Sequence, residues 1–232
     1  MLGLFAAAAG AAATVAVMAG STTAIVTTDR AAIEKIVREY ILSHPEILPE
    51  AMENLRAREL ATVVAANRTT IETPFAGAWE GAADADVTIV QFFDYNCGYC
   101  RKSLSDIDRL LAADRKLRVV YRELPVLGPA SENAARVSLA AAKAGKYASF
   151  HRAVYAAGQP EPRAVERIAK GLGIDLAFAS DPAVQAEINT NLNLARPLQI
   201  TGTPAWVVGD RVLSGAVGYD ALKEAVAAAR AR

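Results

Sequence analysis

Cysteine is scarce in this sequence of 232 residues: there are two, Cys97 and Cys100. A scaffold held by disulfides uses more cysteines spread along the chain, and a structural zinc site needs two ligands beyond this pair. The only histidines, His44 and His151, are distant from the cysteines in sequence, and we interpret both as surface or packing residues. The sequence therefore predicts neither a disulfide framework nor a metal site.

An excess of either charge is also lacking. Lys and Arg together number 25, as do Asp and Glu, so the formal net charge is zero. Nucleic-acid-binding domains normally carry a basic excess, so no nucleic-acid partner is predicted. With 53% hydrophobic and 22% charged residues the composition is globular, and the length suffices for one domain plus an extra segment.

The first 28 residues lack any charged side chain, and a run of small apolar residues extends from Leu2 to Ala19. Such a run is typical of a secretory signal peptide, which we predict over residues 1–24, although no Lys or Arg precedes it. Because the run is nearly long enough to span a bilayer, an uncleaved membrane anchor is the alternative. Either interpretation places the rest of the chain outside the cytoplasm, in the periplasm or exported.

Residues 25–73 are predicted to form a helical arm. In its first segment, apolar residues recur at the spacing of one helix face: Ile33, Ile36, Val37, Tyr40 and Ile41. Ser43-His44-Pro45 breaks this helix, a second amphipathic segment runs from Pro49 to Ala66, and Thr69 to Trp79 is interpreted as a linker. A helical hairpin of this size cannot bury two apolar faces alone. It therefore packs either on the main domain or on copies of itself, and the pattern leaves both possibilities open.

Residues 74–232 are predicted to form an α/β domain. Its first half is a βαβ unit, with strands at Asp86–Phe93 and Leu117–Glu123 and a helix that begins at Cys97. A helical block follows at about 128–195, and then a hairpin of Ala205–Val208 with Val212–Ser214 and a closing helix at Tyr219–Arg230. This order predicts a thioredoxin-like fold with a helical insertion, preceded by the N-terminal helical arm.

The motif Cys97-Gly98-Tyr99-Cys100 stands directly after an apolar strand and opens a helix. Unpaired N–H groups and the positive end of the helix dipole favour a thiolate at Cys97, so we predict that Cys97 attacks and Cys100 resolves. An inert structural disulfide is the alternative, but it would close a very short loop and stabilise little. A bound Cu(I) ion between the two thiolates is a further alternative.

A second feature, Thr201-Gly202-Thr203-Pro204, precedes the predicted hairpin. We predict a cis peptide bond before Pro204, which exposes backbone beside the thiols. The N–H and C=O groups of Thr203 then pair with a substrate strand and hold its cysteine near Cys97. Thr203, Pro204, Gly98 and Tyr99 are therefore the predicted substrate-binding residues.

Several segments resemble the DsbA family, and most of all its ScsC-like branch, the suppressor-of-copper-sensitivity proteins. In the main domain the likeness rests on Phe92–Cys100 (FFDYNCGYC), Leu124–Ser131 (LPVLGPAS) and Thr201–Ala205 (TGTPA). In the arm it rests on Ile33–Leu42 (IEKIVREYIL) and Pro45–Leu48 (PEIL). In some members of this branch the N-terminal segment trimerises and makes the protein a disulfide isomerase.

The resemblance implies a periplasmic thiol–disulfide oxidoreductase whose only cofactor-like group is a redox-active Cys97–Cys100 disulfide. It implies exported cysteine-containing proteins as substrates, a membrane redox partner that resets the CxxC, and a homo-oligomer, with a trimer favoured. An isomerase is expected; the alternatives are a monomeric DsbA-like oxidase, a Cu(I)-holding thiol protein and a membrane-anchored structural arm.

Two positions depart from the family pattern. Strong oxidases of the family have Pro-His where this chain has Gly98-Tyr99, so a weaker oxidant is expected. The position of Gln91 often carries a glutamate in the family, and an amide cannot exchange a proton. A proton relay to Cys100 past Gln91 would therefore use water or another carboxylate, Glu123 or Asp94.

Overall fold

The computed structural model of the chain describes residues 30–231. The predicted signal peptide or anchor at 1–24 lies outside the described residues. Within 30–231, none of the helices combines the length and hydropathy that crossing a bilayer requires.

Residues 30–231 are mainly helical, with five short strands. Along the sequence the elements are α1 (30–43), α2 (Ile47–Glu72), β1 (Trp79–Gly81), β2 (Val87–Phe93), α3 (Gly98–Ala113), β3 (Leu117–Glu123), α4 (Pro129–Lys143), α5 (Tyr147–Ala157), α6 (Pro162–Gly171), a 3₁₀ helix (Leu176–Ser180), α7 (Pro182–Ala195), β4 (Ala205–Val208), β5 (Arg211–Ser214) and α8 (Gly218–Arg230). Two compact units divide within α2, the first ending at Leu55 and the second beginning at Arg56.

The first unit contains α1 and the beginning of α2, separated at His44, Pro45 and Glu46 as predicted. Its large apolar side chains are exposed to solvent in the single chain: Ile33, Ile36, Val37, Tyr40, Leu42, Ile47, Leu48, Met52 and Leu55. Several of them line a shallow groove along α1, among them Ile33, Val37 and Leu42. An apolar helix face of this extent normally has a covering surface.

The second unit is built on a five-stranded sheet in the order β1-β3-β2-β4-β5. Strands β2 and β3 are parallel, in register from Val87 opposite Leu117 to Phe93 opposite Glu123, which confirms the predicted βαβ unit. Strands β4 and β5 form the predicted hairpin, and β4 runs antiparallel to β2. The insertion is confirmed as a helical block of α4 to α7.

The sheet buries both of its faces. Along β2, Ile89 and Phe93 point into a core shared with α3, α4, α5, α6 and α8, while Val90 and Phe92 point into a second core with the end of α2 and with α7. A central strand covered on both sides needs apolar residues at nearly every position, which explains its continuous apolar run. The only polar residue at its centre is Gln91.

The prediction of a linker at Thr69–Trp79 is wrong at both ends of that segment. Helix α2 continues through Glu72, with Val64 and Ile71 fully buried against the second core. At the other end, Trp79 begins the edge strand β1, which pairs antiparallel with β3, Trp79 opposite Val120. A three-residue strand has no sequence period of its own, and only its pairing partner makes it a strand.

Candidate active site

Cys97 is the N-cap residue of α3. Strand β2 ends at Phe93 at the carboxyl edge of the parallel pair, and the Cys97 N–H then donates to the carbonyl oxygen of Asp94 at 3.1 Å, which closes the turn. The Cys97 Sγ accepts a hydrogen bond from the Cys100 N–H at 3.3 Å, one of the orphan N–H groups at a helix start. The strand–turn–helix arrangement thus places this sulfur at the positive end of the α3 dipole.

The two thiols differ in depth. Both cysteines are free, with Cys97 7% exposed and Cys100 1% exposed. Burial raises the pKa of the Cys100 thiol well above its usual range. Cys100 is therefore protonated at neutral pH, and Cys97, although also buried, keeps the larger exposed fraction of the two.

The carbonyl group of Thr203, which is distant from Cys97 in sequence, lies beside the Cys97 thiol. The Cys97 thiol donates to the Thr203 carbonyl oxygen at 3.2 Å. The Thr203–Pro204 peptide bond is cis, as predicted, and Pro204 is buried. The Thr203 N–H has no hydrogen-bond partner among residues 30–231, so the half-buried loop offers a free donor beside the nucleophile.

The dipeptide between the cysteines lies on the surface. A Cβ added at Gly98 would meet no heavy atom within 4 Å, and the Tyr99 side chain is 67% exposed. Two more exposed apolar residues, Val126 (49%) and Leu127 (48%), lie near this surface. Their N–H groups donate to the buried Asp94 carboxylate at 2.9 and 3.0 Å, which ties this loop to the turn before Cys97.

Gln91 and Glu123, predicted to contribute to a proton relay, lie in different surroundings. Gln91 is buried in the centre of the sheet between Tyr121 and Trp206, on the same sheet face as Phe93 and therefore on the α3 side. Glu123 is buried at the end of β3, and neither Cys97 nor Cys100 is among its hydrogen-bond partners. The Asp94 carboxylate accepts hydrogen bonds from three N–H groups, those of Asn96, Val126 and Leu127.

Glu123 instead begins a buried chain of polar side chains. The Ser138 hydroxyl donates to Glu123 Oε1 at 2.8 Å, Tyr95 Oη is 2.8 Å from Ser138 Oγ, and Tyr95 Oη is 2.9 Å from His151 Nδ1. Burial raises the pKa of Glu123 to about 8 and lowers the pKa of His151 to about 3. At neutral pH the carboxyl and the imidazole are therefore both uncharged, as their apolar surroundings require.

The sequence did not predict this series of hydrogen-bonded side chains, because its members are far apart in sequence. Tyr95 stands 43 residues before Ser138 and 56 residues before His151. The prediction that His151 is a packing residue is nevertheless consistent with its position, since it is fully buried and in contact with the rings of Phe93, Tyr121 and Tyr147. The one available signal was the position of Tyr95, two residues before Cys97.

The sequence matches two protein families in adjacent segments. Residues 88–227 match the DSBA-like thioredoxin domain, and residues 29–61 match the copper resistance protein ScsC N-terminal domain. The first match covers the sheet apart from strand β1 and the first residue of β2, and it includes both cysteines and the Thr203-Pro204 loop. The second covers α1 and the first half of α2.

Solved structures give the same result. A thioredoxin-like oxidoreductase from Silicibacter pomeroyi is 41% identical with a TM-score of 0.68, over 72% of this chain and 99% of that one. A linker-deletion mutant of Proteus mirabilis ScsC is 28% identical with a TM-score of 0.70, over 86% and 93%. A periplasmic thioredoxin-like protein from Salmonella enterica serovar Typhimurium is 26% identical with a TM-score of 0.65, over 71% and 96%.

Curated relatives match over a smaller share of their length. The Na(+)/H(+) antiporter NhaA 3 of Salinispora tropica is 29% identical over 64% of this chain, and the match spans 24% of the antiporter. The sequence, the fold and the paired thiols agree with the family matches over 88–227 and 29–61. The chain therefore belongs to the DSBA-like thioredoxin domain family, and its residues 29–61 match the N-terminal domain of ScsC.

Proposed function

We propose that the protein is a periplasmic disulfide isomerase that acts on exported cysteine-containing proteins through Cys97 and Cys100. The observation that carries the proposal is the asymmetry of the two thiols. Cys97 Sγ lies at the α3 N-terminus, 3.3 Å from the Cys100 nitrogen, and lines a surface cavity, while Cys100 lies deeper and has a raised pKa. This asymmetry suits one attacking and one resolving thiol.

The reaction consists of two exchanges. The Cys97 thiolate attacks one sulfur of a substrate disulfide, a mixed disulfide forms, and the other substrate sulfur leaves as a thiolate. In isomerisation a different substrate thiolate attacks the substrate sulfur of the mixed disulfide, so that a new substrate disulfide forms and the Cys97 thiolate leaves, with no net change in oxidation state. In the alternative outcome Cys100 loses its proton and attacks Cys97 Sγ, so the substrate leaves reduced by two electrons and the Cys97–Cys100 disulfide forms.

The surroundings of Cys97 suit an unfolded polypeptide. The free N–H of Thr203 can donate to a substrate backbone carbonyl, in the manner of a strand added to an edge. The exposed side chains of Tyr99, Val126 and Leu127 offer apolar contacts of the kind that a misfolded protein seeks. We therefore assign Thr203, Pro204, Gly98 and Tyr99 to substrate binding.

The arm favours an isomerase over a monomeric oxidase. Its apolar face is exposed in the single chain, and its match to the ScsC N-terminal domain supports association with further copies, with a trimer favoured. Several copies would present several Cys97 sites to one scrambled substrate, which raises their effective concentration. A membrane redox partner then keeps the CxxC pair in its reduced state.

The periplasmic location rests on two further observations. The uncharged apolar segment at 1–28 has the character of an export signal, and the Salmonella relative described above is a periplasmic protein.

Refolding of scrambled ribonuclease tests the proposal. We expect the reduced protein to restore ribonuclease activity, Cys97→Ser to restore none, and the double variant Ile36→Glu/Val37→Glu to sediment as a monomer and restore less. Lys35→Gln, on the same helix, is the matched control and should behave as the wild type. Failure of the wild type to unscramble the substrate, together with rapid oxidation of reduced ribonuclease, would indicate the oxidase instead.

A further inference from the structure

A small cavity opens beside Cys97. Its volume is about 160 Å³, and its walls come from the start of α3 and from the loop after α5, including Cys97, Gly98, Arg101, Gly158 and Gln159. An apolar cavity of about 150 Å³ is large enough to hold a benzene molecule, so this one can take a side chain of moderate size. Because Cys97 itself is part of the wall, a group bound here belongs to whatever is bonded to that sulfur.

The cavity wall contains a positive charge and no carboxylate. Arg101 is the only ionisable side chain in its wall apart from Cys97 and Tyr95, and the wall contains no carboxylate. Among residues 30–231, the Arg101 side chain has no hydrogen-bond, ion-pair or ring partner. Most other arginines of the domain are paired, such as Arg152 with Glu80 and Asp108. Arg101 thus presents an uncompensated guanidinium next to the nucleophile.

The opposite wall allows a close approach to this guanidinium. A Cβ placed on Gly158 would lie 4.0 Å from Arg101 Nη1, so a side chain at this position would lie beside the charge, and glycine leaves that space open. Gly158 ends α5 with a φ of +96°, a conformation that L side chains rarely adopt, and this keeps the position free of a side chain. Gln159 adds an amide that can donate a further hydrogen bond.

We propose that this cavity binds a carboxylate carried by the disulfide substrate, with Arg101 as its binding residue. The proposal rests on the thiol-exchange function above and specifies its substrate preference. A guanidinium presents paired N–H donors that match the two oxygens of a carboxylate. The carboxylate can belong to an Asp or Glu side chain adjacent to the substrate cysteine or to a small thiol such as glutathione.

Exchange kinetics test the proposal with the full chain in its reduced form. The substrates are three peptides that differ in the residue next to cysteine, which is Glu, Gln or Lys, each as a mixed disulfide with uncharged pyridine-2-thiol. Release of pyridine-2-thione gives the second-order rate constant. We expect the Glu peptide to react about fivefold faster than the Gln peptide at physiological salt, the scale of one partly exposed ion pair. The Lys peptide should react slowest.

Two variants isolate Arg101. In Arg101→Gln the Glu-to-Gln rate ratio should fall to near one, and in Arg101→Lys part of it should remain because the charge is kept. Lys102→Gln is the matched control: it removes an equal charge from the neighbouring residue, which is not part of the cavity wall. The ratio between peptides is the readout, because a general change in thiolate reactivity affects all three peptides alike.

The outcomes separate this proposal from the proposed function. Equal rates for all peptides, or a ratio unchanged in Arg101→Gln, would overturn the carboxylate site while thiol exchange stands. No reaction with any peptide would overturn the exchange function itself. Glutathione disulfide and its ethyl ester form the second arm. Faster reaction of the free acid extends the site to small thiols, and equal rates with a persistent peptide preference assign it to polypeptides.

Discussion

The guanidinium of Arg122 donates a hydrogen bond to the carbonyl oxygen of Ile71 at 2.9 Å, from the end of β3 to the last turn of α2. The same side chain donates to the carbonyl oxygens of Thr70 and Thr73 and pairs with Glu187 at 2.9 Å. The final carbonyls of a helix have no partner within the helix. Arg122, only 2% exposed, thus caps α2 from within the domain.

Removal of this cap should be costly. We expect Arg122→Met to lower the free energy of unfolding by about 3–5 kcal/mol, because it leaves Glu187 and three carbonyl groups at the end of α2, of which that of Ile71 is buried, without this partner. Urea unfolding followed by circular dichroism measures the change. Arg118→Met, in the same strand but only half-buried, is the control and should cost at most about 1 kcal/mol. Equal costs for the two variants would contradict the capping role.

The buried Glu123 and His151 should shape the pH dependence of stability. The folded pKa of Glu123 is raised from 4.5 to about 8, so the folded chain keeps a proton that the unfolded chain releases, and stability falls as pH rises between these values. The folded pKa of His151 is lowered from 6.5 to about 3, so stability rises with pH between those values. The opposite slopes cancel between about 4.5 and 6.5, where we expect a plateau of maximum stability in urea titrations.

Glu123→Gln separates the two contributions. The amide oxygen can still accept the hydrogen bond of Ser138, but the side chain no longer titrates. We expect this variant to lose most of the decline above pH 6.5 while the decline below pH 4.5 persists. A wild-type profile that keeps rising through pH 8 would rule out a protonated Glu123 in the folded state.

The two thiols should differ in reactivity towards alkylating reagents. In the native reduced protein we expect iodoacetamide to modify Cys97 at least about tenfold faster than Cys100, because Cys100 is buried and its thiol has a raised pKa. Mass spectrometry of peptides after timed quenching measures both rates. In denaturant the rates should converge, and comparable native rates would refute the assignment of attacking and resolving thiols.

The hydroxyl of Tyr95 should contribute to stability in its own right. We expect Tyr95→Phe to cost about 1–3 kcal/mol, because it leaves the buried His151 Nδ1 without a partner and removes one of the two hydrogen bonds of the Ser138 hydroxyl. The control is Tyr219→Phe, at a half-buried tyrosine whose hydroxyl has no hydrogen bond to a residue in 30–231. Thermal unfolding should separate the two variants, and identical melting curves would argue against the buried chain.

Short sequence patterns predicted the parts of the site that depend only on neighbouring residues. The apolar run up to Phe93, the turn after it and the helix opening at Cys97 are encoded within a dozen residues, and the Thr203-Pro204 loop carries its own signature. The end of α2 was missed because its cap comes from Arg122, some fifty residues later. Strand β1 was missed because three residues show no period, and its pairing with β3 exists only in the folded sheet.

The surroundings of the thiols depend on such distant contacts as well. Nothing in the sequence indicates that Gly158 approaches Arg101 or that His151 meets Tyr95, since packing of the insertion on the sheet brings these residues together. Sequence patterns therefore predict which atoms react, whereas the residues that surround those atoms follow from tertiary structure.

The open space around Gly98 has a consequence for the history of this protein. Because a Cβ at that position would meet no heavy atom within 4 Å, and the Tyr99 side chain is exposed, replacements between the two cysteines leave the packed interior as it is. Descendants of this chain can therefore acquire new thiol chemistry by one or two substitutions, without compensating changes elsewhere. The two residues between the cysteines, which lie next to the reactive sulfurs, are therefore also among the positions that tolerate substitution best.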